Sequence, residues 1–313
     1  MKLLQTAFAA TALFLSACST EDSLGGDWDG RLHLSSNVAT LTRATHDLDT
    51  KIASGQTVWL YIDKASDASS PLYGKELTTG ANGVFTNASD MFFPAGESSI
   101  NIYAFHINEK SPSISTAAYP GSQLTHKVEQ DQQSSGSNYA KSDLLYANTA
   151  LTKENAKSNS GAIELPFKHS LSKIEVILKK NAEVTATVTK LEILNTQLEA
   201  TFTPSKSSDE LTVAVSGTTA ENPIEIDHGI TESGGDVLNE AIIIPQTLND
   251  KTEFIRVTLD GGATLVYKLE AQTEFKKGTK YTYTITSKLT GLEVTSKIDD
   301  WGNGTGASGD ATM

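Results

Sequence analysis

The apolar residues of this chain recur at every second position. No stretch keeps the 3.6-residue period of an amphipathic helix for about a dozen residues or more. Runs such as Thr57–Ile62, Ser99–Phe105, Ile174–Leu178, Leu191–Leu194, Leu211–Val215 and Tyr281–Thr286 are rich in β-branched and aromatic residues and bounded by turn formers. Phe254–Leu259 and Ala263–Leu269 flank Asp260-Gly261-Gly262, whose glycines supply the positive φ of a tight hairpin. This grammar predicts an all-β protein of antiparallel β-sandwiches with only short helices. At 313 residues the chain has room for one large domain or two ordinary ones. Gln130–Asn138 reads as an exposed polar loop, and the boundary between two sandwiches is expected near residues 160–170.

Charge narrows the function classes. Lys and Arg number 25 against 38 Asp and Glu, a formal net charge of −13. With arginine only at positions 31, 43 and 256, the chain lacks the basic stripe that a nucleic-acid binder turns toward phosphate. Its single cysteine, Cys18, excludes an intrachain disulfide framework and a cysteine-based zinc site.

Residues 1–17 carry Lys2 and then a small, apolar run that ends at Leu15-Ser16-Ala17. The run is shorter than the roughly 20 residues that span a bilayer, but it suits a signal peptide. Leu15-Ser16-Ala17-Cys18 resembles a bacterial lipobox, in which Cys18 is lipidated and becomes the first mature residue. Acyl chains contribute about 0.8 kcal/mol per buried methylene, so several on one residue anchor a protein without a transmembrane helix. Glu21–Gly30 is then a polar tether.

Catalytic grammar is sparse. The histidines at 33, 46, 106, 126, 169 and 228 show no i, i+2 or i, i+4 pair, so no metal or other cofactor is expected. Ser170-Leu171-Ser172-Lys173 fits S-x-x-K, but it opens a strand pattern and lacks the companion motifs of penicillin-recognising enzymes. The reading is a protein that is not an enzyme. Trp28, Trp59 and Trp301 are the candidates for a glycan-stacking platform; Trp59, inside an apolar run, reads as core.

Asp143–Ala147, Leu165–Val176, Ala241–Gln246, Phe275–Thr284 and Leu292–Trp301, in that order, resemble the fimbrillin family of Bacteroidota. The resemblance implies two transthyretin-like antiparallel β-sandwich domains, lipoprotein export to the outer membrane, and assembly with other subunits into surface fimbriae (type V pili). It also implies an arginine-specific protease that removes the N-terminal segment, and a donor strand from another subunit that fills the vacated groove.

On that pattern residues 1–17 are the leader, and 18–43 the lipidated tether with a removable strand. Residues 44–165 form the N-terminal sandwich and 166–313 the C-terminal one. Arg43 follows Leu32, Leu34, Val38 and Leu41, so a cut between Arg43 and Ala44 would release that strand; Arg31 is a rival site that would leave it in place. Within 291–301, Leu292, Val294 and Ile298 share one face of an extended strand and form the candidate donor. Two alternatives remain open at this point: a fimbrial tip adhesin, and a monomeric surface lipoprotein that binds glycan.

Overall fold

A computed structural model describes residues 28–38, 51–86, 88, 91–108, 119–180, 186–215, 223–231, 237–288, 291–301 and 309–311. The fold among them is all-β. The first half contributes β1 (His33–Val38), β2 (Thr57–Lys64), β3 (Tyr73–Thr78), β4 (Ser99–His106), β5 (Leu124–Lys127), β6 (Leu145–Thr152) and β7 (Ala162–His169). The second contributes β8 (Ser172–Lys180), β9 (Val188–Ile193), β10 (Glu199–Thr203), β11 (Thr212–Val215), β12 (Ile224–Ile226), β13 (Ile230–Thr231) and β14 (Asn239–Ile243). It continues with β15 (Gln246–Leu248), β16 (Glu253–Leu259), β17 (Thr264–Lys268), β18 (Thr273–Phe275), β19 (Thr279–Lys288), β20 (Gly291–Asp300) and β21 (Gly309–Ala311). Two short helices, α1 (Asn138–Ser142) and α2 (Lys153–Ser158), interrupt the series. No helix among the described residues is long and apolar enough to cross a membrane.

The first sheet runs β1-β7-β6-β4-β2-β3. Alternation explains why β2 reads as a continuous apolar run: Val58, Leu60 and Ile62 enter one core, while Trp59 and Tyr61 enter another on the opposite face. Such a strand is covered on both sides. The cover on the second face comes partly from β5, which leaves the first sheet to pair with β10 in the order β11-β10-β5. Tyr103, Phe105 and Tyr146 therefore share a core with Phe202 and Leu211.

A four-stranded sheet, β12-β9-β16-β17, and a larger one, β13-β8-β19-β20-β21 with β14 also on β8, face each other across that same core. Phe254 from one sheet packs against Tyr283 from the other at 5.5 Å between ring centroids. The hairpin expected at Asp260-Gly261-Gly262 is present, with Gly261 at φ 81° and Gly262 at φ 83°.

Two expectations are corrected. The sheets are mixed rather than purely antiparallel, because β1 runs parallel to β7 and β8 runs parallel to β19 and β13. Each of these pairs is separated by a long stretch of chain, which allows the crossover that parallel pairing requires. Gln130–Asn138 is not wholly exposed either. Gln132 is buried, and its amide accepts from the Ile242 N–H at 2.7 Å and donates to the Ile242 carbonyl at 2.9 Å. One side chain thereby satisfies both the N–H and the carbonyl of Ile242 in β14.

The division expected at 165/166 falls inside β7, whose pairing carries it with the first sheet to His169; β8 opens the second at Ser172. A buried polar chain occupies this junction. Asp143 Oδ2 lies 2.8 Å from His169 Nδ1, and the imidazole stacks on Trp301. Beside it, Lys173 reaches Glu240 at 2.8 Å and Glu175 at 3.5 Å, and Glu175 also meets Lys280.

Candidate functional site

The feature that stands apart from the rest of the fold is the seat of β1. Leu32, Leu34, Ser36 and Val38 point inward and are all buried, whereas His33 and Asn37 face out. One side of the strand pairs with β7 in parallel, from His33 opposite Ala162 to Val38 opposite Phe167. The other side is held by an irregular rail. Leu32 N–H donates to Met91, Phe85 N–H to Leu34, and Phe93 N–H to Gly30, at 2.9, 3.0 and 2.7 Å. Three buried apolar side chains contribute roughly 1.5–3 kcal/mol each, and the two rails add hydrogen bonds at about 0.5–1.5 kcal/mol each.

Ser36 is the exception in this apolar row. It is fully buried, and its hydroxyl accepts from Ile52 N–H at 3.0 Å and lies 3.4 Å from the Gly83 carbonyl. Gly83, at φ 71°, has no room for a side chain, because a Cβ there would run into the Ser36 hydroxyl. At the other end of the slot Gly161, at φ 78°, accepts from His33 N–H at 2.7 Å. A Cβ on Gly161 would collide with the Arg31 carbonyl oxygen, which also receives the Trp28 indole N–H at 2.7 Å. On the outer face Asn37 bonds Glu164 at 3.2 Å, and Lys51 pairs with the same carboxylate.

Cys18, Arg43 and Ala44 lie outside the described residues. The other two arginines are committed. Arg31 has its N–H on Asp29, its carbonyl on Trp28 and its guanidinium over the Phe92 ring at 5.5 Å. Arg256 sits within β16 and donates to Glu192 at 2.6 Å, and that contact holds the Glu192 carboxyl below its ordinary range.

The candidate donor residues belong to β20, which pairs with β19 along its whole length, from Gly291 opposite Lys288 to Asp300 opposite Thr279. Leu292 and Val294 are half-buried against the second core, but Ile298 remains 39% exposed. Among the described residues, the outer edge of β20 pairs only with β21, at Ser296–Ile298. Of the tryptophans, Trp59 and Trp301 are buried, and Trp28 stands edge-on to Phe93. None lies in an open platform for a sugar ring. Lys173 of the S-x-x-K match is locked in its ion pairs on a strand, and no three metal-ligating side chains gather among the described residues.

Sequence reasoning missed the Asp143–His169 pair and the buried Lys173–Glu240 contact. Charged residues at 173 and 175 within an otherwise apolar strand were the available signal. It also missed Asp63, fully buried beneath Asn101 at 2.7 Å and Tyr119 at 3.0 Å, with Lys206 at 3.6 Å.

Residues 42–301 match the model of the family described as Fimbrillin-like. The chain belongs to the Fimbrillin-like family. A Bacteroides uniformis protein assigned as the fimbrium subunit Fim1C is 31% identical over 155 residues, 46% of this chain and 48% of that protein. The match thus spans about half the length of that relative. A Bacteroides uniformis structure assigned to cell adhesion superposes with a TM-score of 0.60 at 23% identity, covering 87% of this chain and 98% of the other. A Bacteroides ovatus structure with the same assignment gives 0.61 at 16%, covering 87% and 97%. A fimbrial protein from Bacteroides vulgatus gives 0.53 at 16%, covering 86% and 99%. Membership in the Fimbrillin-like family makes this a structural protein of the cell surface rather than an enzyme.

Proposed function

We propose that the chain is a shaft subunit of surface fimbriae, built from two transthyretin-like sandwiches and polymerised by donor-strand exchange. The leader 1–17 directs export, Cys18 carries the lipid that holds the precursor at the outer membrane, and an arginine-specific protease cuts between Arg43 and Ala44. Release of 18–43 empties the β1 slot, and a strand from another subunit fills it by β-augmentation. The observation that carries this reading is the seat of β1, the first strand among the described residues, with one buried face and held between two rails. Arg43 is favoured over Arg31 because Arg31 is bonded into the slot entrance on both sides of its peptide. A proteolytic site needs backbone free to extend into the enzyme.

The deciding measurement is the N-terminal residue of the protein taken from the cell surface, expected to be Ala44. Arg43→Ala should stay full-length, lipid-anchored and monomeric, while Cys18→Ala should lose acyl labelling and misplace the precursor. Polymers built from full-length Arg43→Ala would overturn cleavage at this site as the switch. Val294→Asp should be cut normally yet fail to polymerise, since a carboxylate entering an apolar groove costs at least several kcal/mol; urea unfolding of the uncut chain controls for its own fold.

A further inference from the structure

Lys173 and Glu175 alternate with Ile174 and Val176 along β8, so they share the face opposite that aliphatic pair. Glu240 stands opposite Glu175 on β14, while Lys280 and Thr282 stand opposite Lys173 and Glu175 on β19. The three residues at the centre, Lys173, Glu175 and Glu240, are each no more than 3% exposed. Lys173 Nζ lies 2.8 Å from Glu240 Oε1 and 3.5 Å from Glu175 Oε1, and the Trp301 ring closes over it at 6.0 Å. A primary amine is thus held against one carboxyl group, with a second carboxylate at its side and an aromatic cover. We propose that this site condenses with itself: Lys173 Nζ and Glu240 Cδ join in an amide that staples β14 to β8 and releases one water. The proposal is independent of strand exchange.

The step balances within the site. A proton passes from the Lys173 ammonium to the Glu240 carboxylate, which leaves a neutral amine beside a carboxylic acid. Nζ attacks Cδ, and the Cδ–hydroxyl bond breaks. The Glu175 carboxylate takes the proton shed by the attacking nitrogen and returns it to the departing hydroxyl, so Glu175 ends as it began. One positive and one negative charge vanish together. Glu175 and Lys280, 3.4 Å apart, remain as a balanced pair. The same contacts decide which carboxyl reacts. Glu175 is held as the proton carrier by Lys280 and by the Thr282 hydroxyl, which donates to it at 2.9 Å, whereas Glu240 lies nearer the amine. In water, hydration keeps an amine and a carboxyl group as ions. Burial takes that hydration away and favours the neutral amide, and fixed proximity removes the entropic barrier to their encounter. Reaching two neutral groups is the slow event, so the freshly folded chain holds the ion pair and the amide accumulates as the protein ages.

The test is the intact mass of the unmodified full chain, followed for several days at growth temperature, and of the protein taken from the cell surface. Both should become lighter by one water. Tryptic digestion should then yield a branched peptide that joins His169–Lys179 to Ser207–Lys251 through Lys173 and Glu240. Lys173→Arg keeps the cation without the amine and should keep its full mass. Glu175→Gln should slow the loss of water about a hundredfold or more, since no carboxylate then carries the proton. Urea midpoints of both variants, taken before ageing, control for folding. An undiminished mass in the aged and the surface protein would overturn the proposal. So would a water lost elsewhere in the chain, seen as normal tryptic cleavage after Lys173. Equal rates for Glu175→Gln and the unmodified chain would overturn the part assigned to Glu175.

Discussion

The Trp301 indole lies flat on the His169 imidazole, with ring centroids 3.8 Å apart and planes 12° from parallel. His169 closes the last strand of the first sheet, and Trp301 follows β20 of the second, so this stack joins the two halves of the chain. Trp301 is 6% exposed, and its truncation leaves a large void. Trp301→Ala should lower stability by about 3–5 kcal/mol in urea unfolding. A double-mutant cycle with His169→Ala should return a coupling of about 0.5–1.5 kcal/mol, the contribution of the stack itself. A coupling near zero would mean that the rings merely share space.

The buried ion pair beside the stack yields a second prediction. Lys173→Met leaves Glu240 without its 2.8 Å partner in a site closed to water, so it should destabilise by about 3–5 kcal/mol. Lys173→Met with Glu240→Leu should recover much of that loss, since neither charge then stays unpaired. Chemical denaturation of the three proteins decides it; a double variant as weak as the single would show that the pair itself is favourable.

Gly161 guards the slot entrance. Gly161→Ala combines a strained φ with a collision at the Arg31 carbonyl, whereas Gly55→Ala, at φ 83° with open space around it, carries the strain alone. The strain should cost about 1–2 kcal/mol in both. Only the Gly161 variant should expose Arg31, detected as a fragment starting at Leu32 after brief treatment with an arginine-specific protease. Equal resistance of the two variants would contradict the packing described here.

His106 is buried with its Nδ1 2.8 Å from the Thr57 carbonyl, and burial holds its pKa below the ordinary 6.5. The unfolded chain therefore binds a proton at higher pH than the folded one. The stability linked to His106 is full above about pH 6.5 and is lost as the pH falls toward the depressed folded value. His106→Gln should flatten the acid limb of a plot of urea midpoint against pH in that window. An unchanged limb would assign the slope to other groups.

Much of the β-sheet framework was legible because side-chain parity is written directly into a strand. The Val58/Leu60/Ile62 and Trp59/Tyr61 alternation, the Asp260-Gly261-Gly262 hairpin and the short helices all follow from local rules. Parallel partners are not local: nothing in Ser172–Lys180 names Thr279–Lys288 as its neighbour. Gln132 misled because a glutamine that completes a sheet edge looks the same, in sequence, as one in solvent. In the slot, the apolar row of β1 and the candidate donor could be read residue by residue. The buried role of Ser36 could not, since it depends on Gly83 and Ile52, which reach it from elsewhere in the chain.

The connection of β1 to the rest of the fold also has a thermodynamic meaning. Val38 and Lys51 are close in sequence, so the strand is presented to its slot at the millimolar effective concentration of a short linker. A break at Arg43 leaves the residues of β1 itself intact. On the reading proposed above it turns an intramolecular equilibrium into a bimolecular one, in which the released strand, no longer tethered to its slot, competes with the strand of a neighbouring subunit. One hydrolysed peptide bond would thus set the direction of exchange by concentration alone, with the slot left to decide only which strand stays.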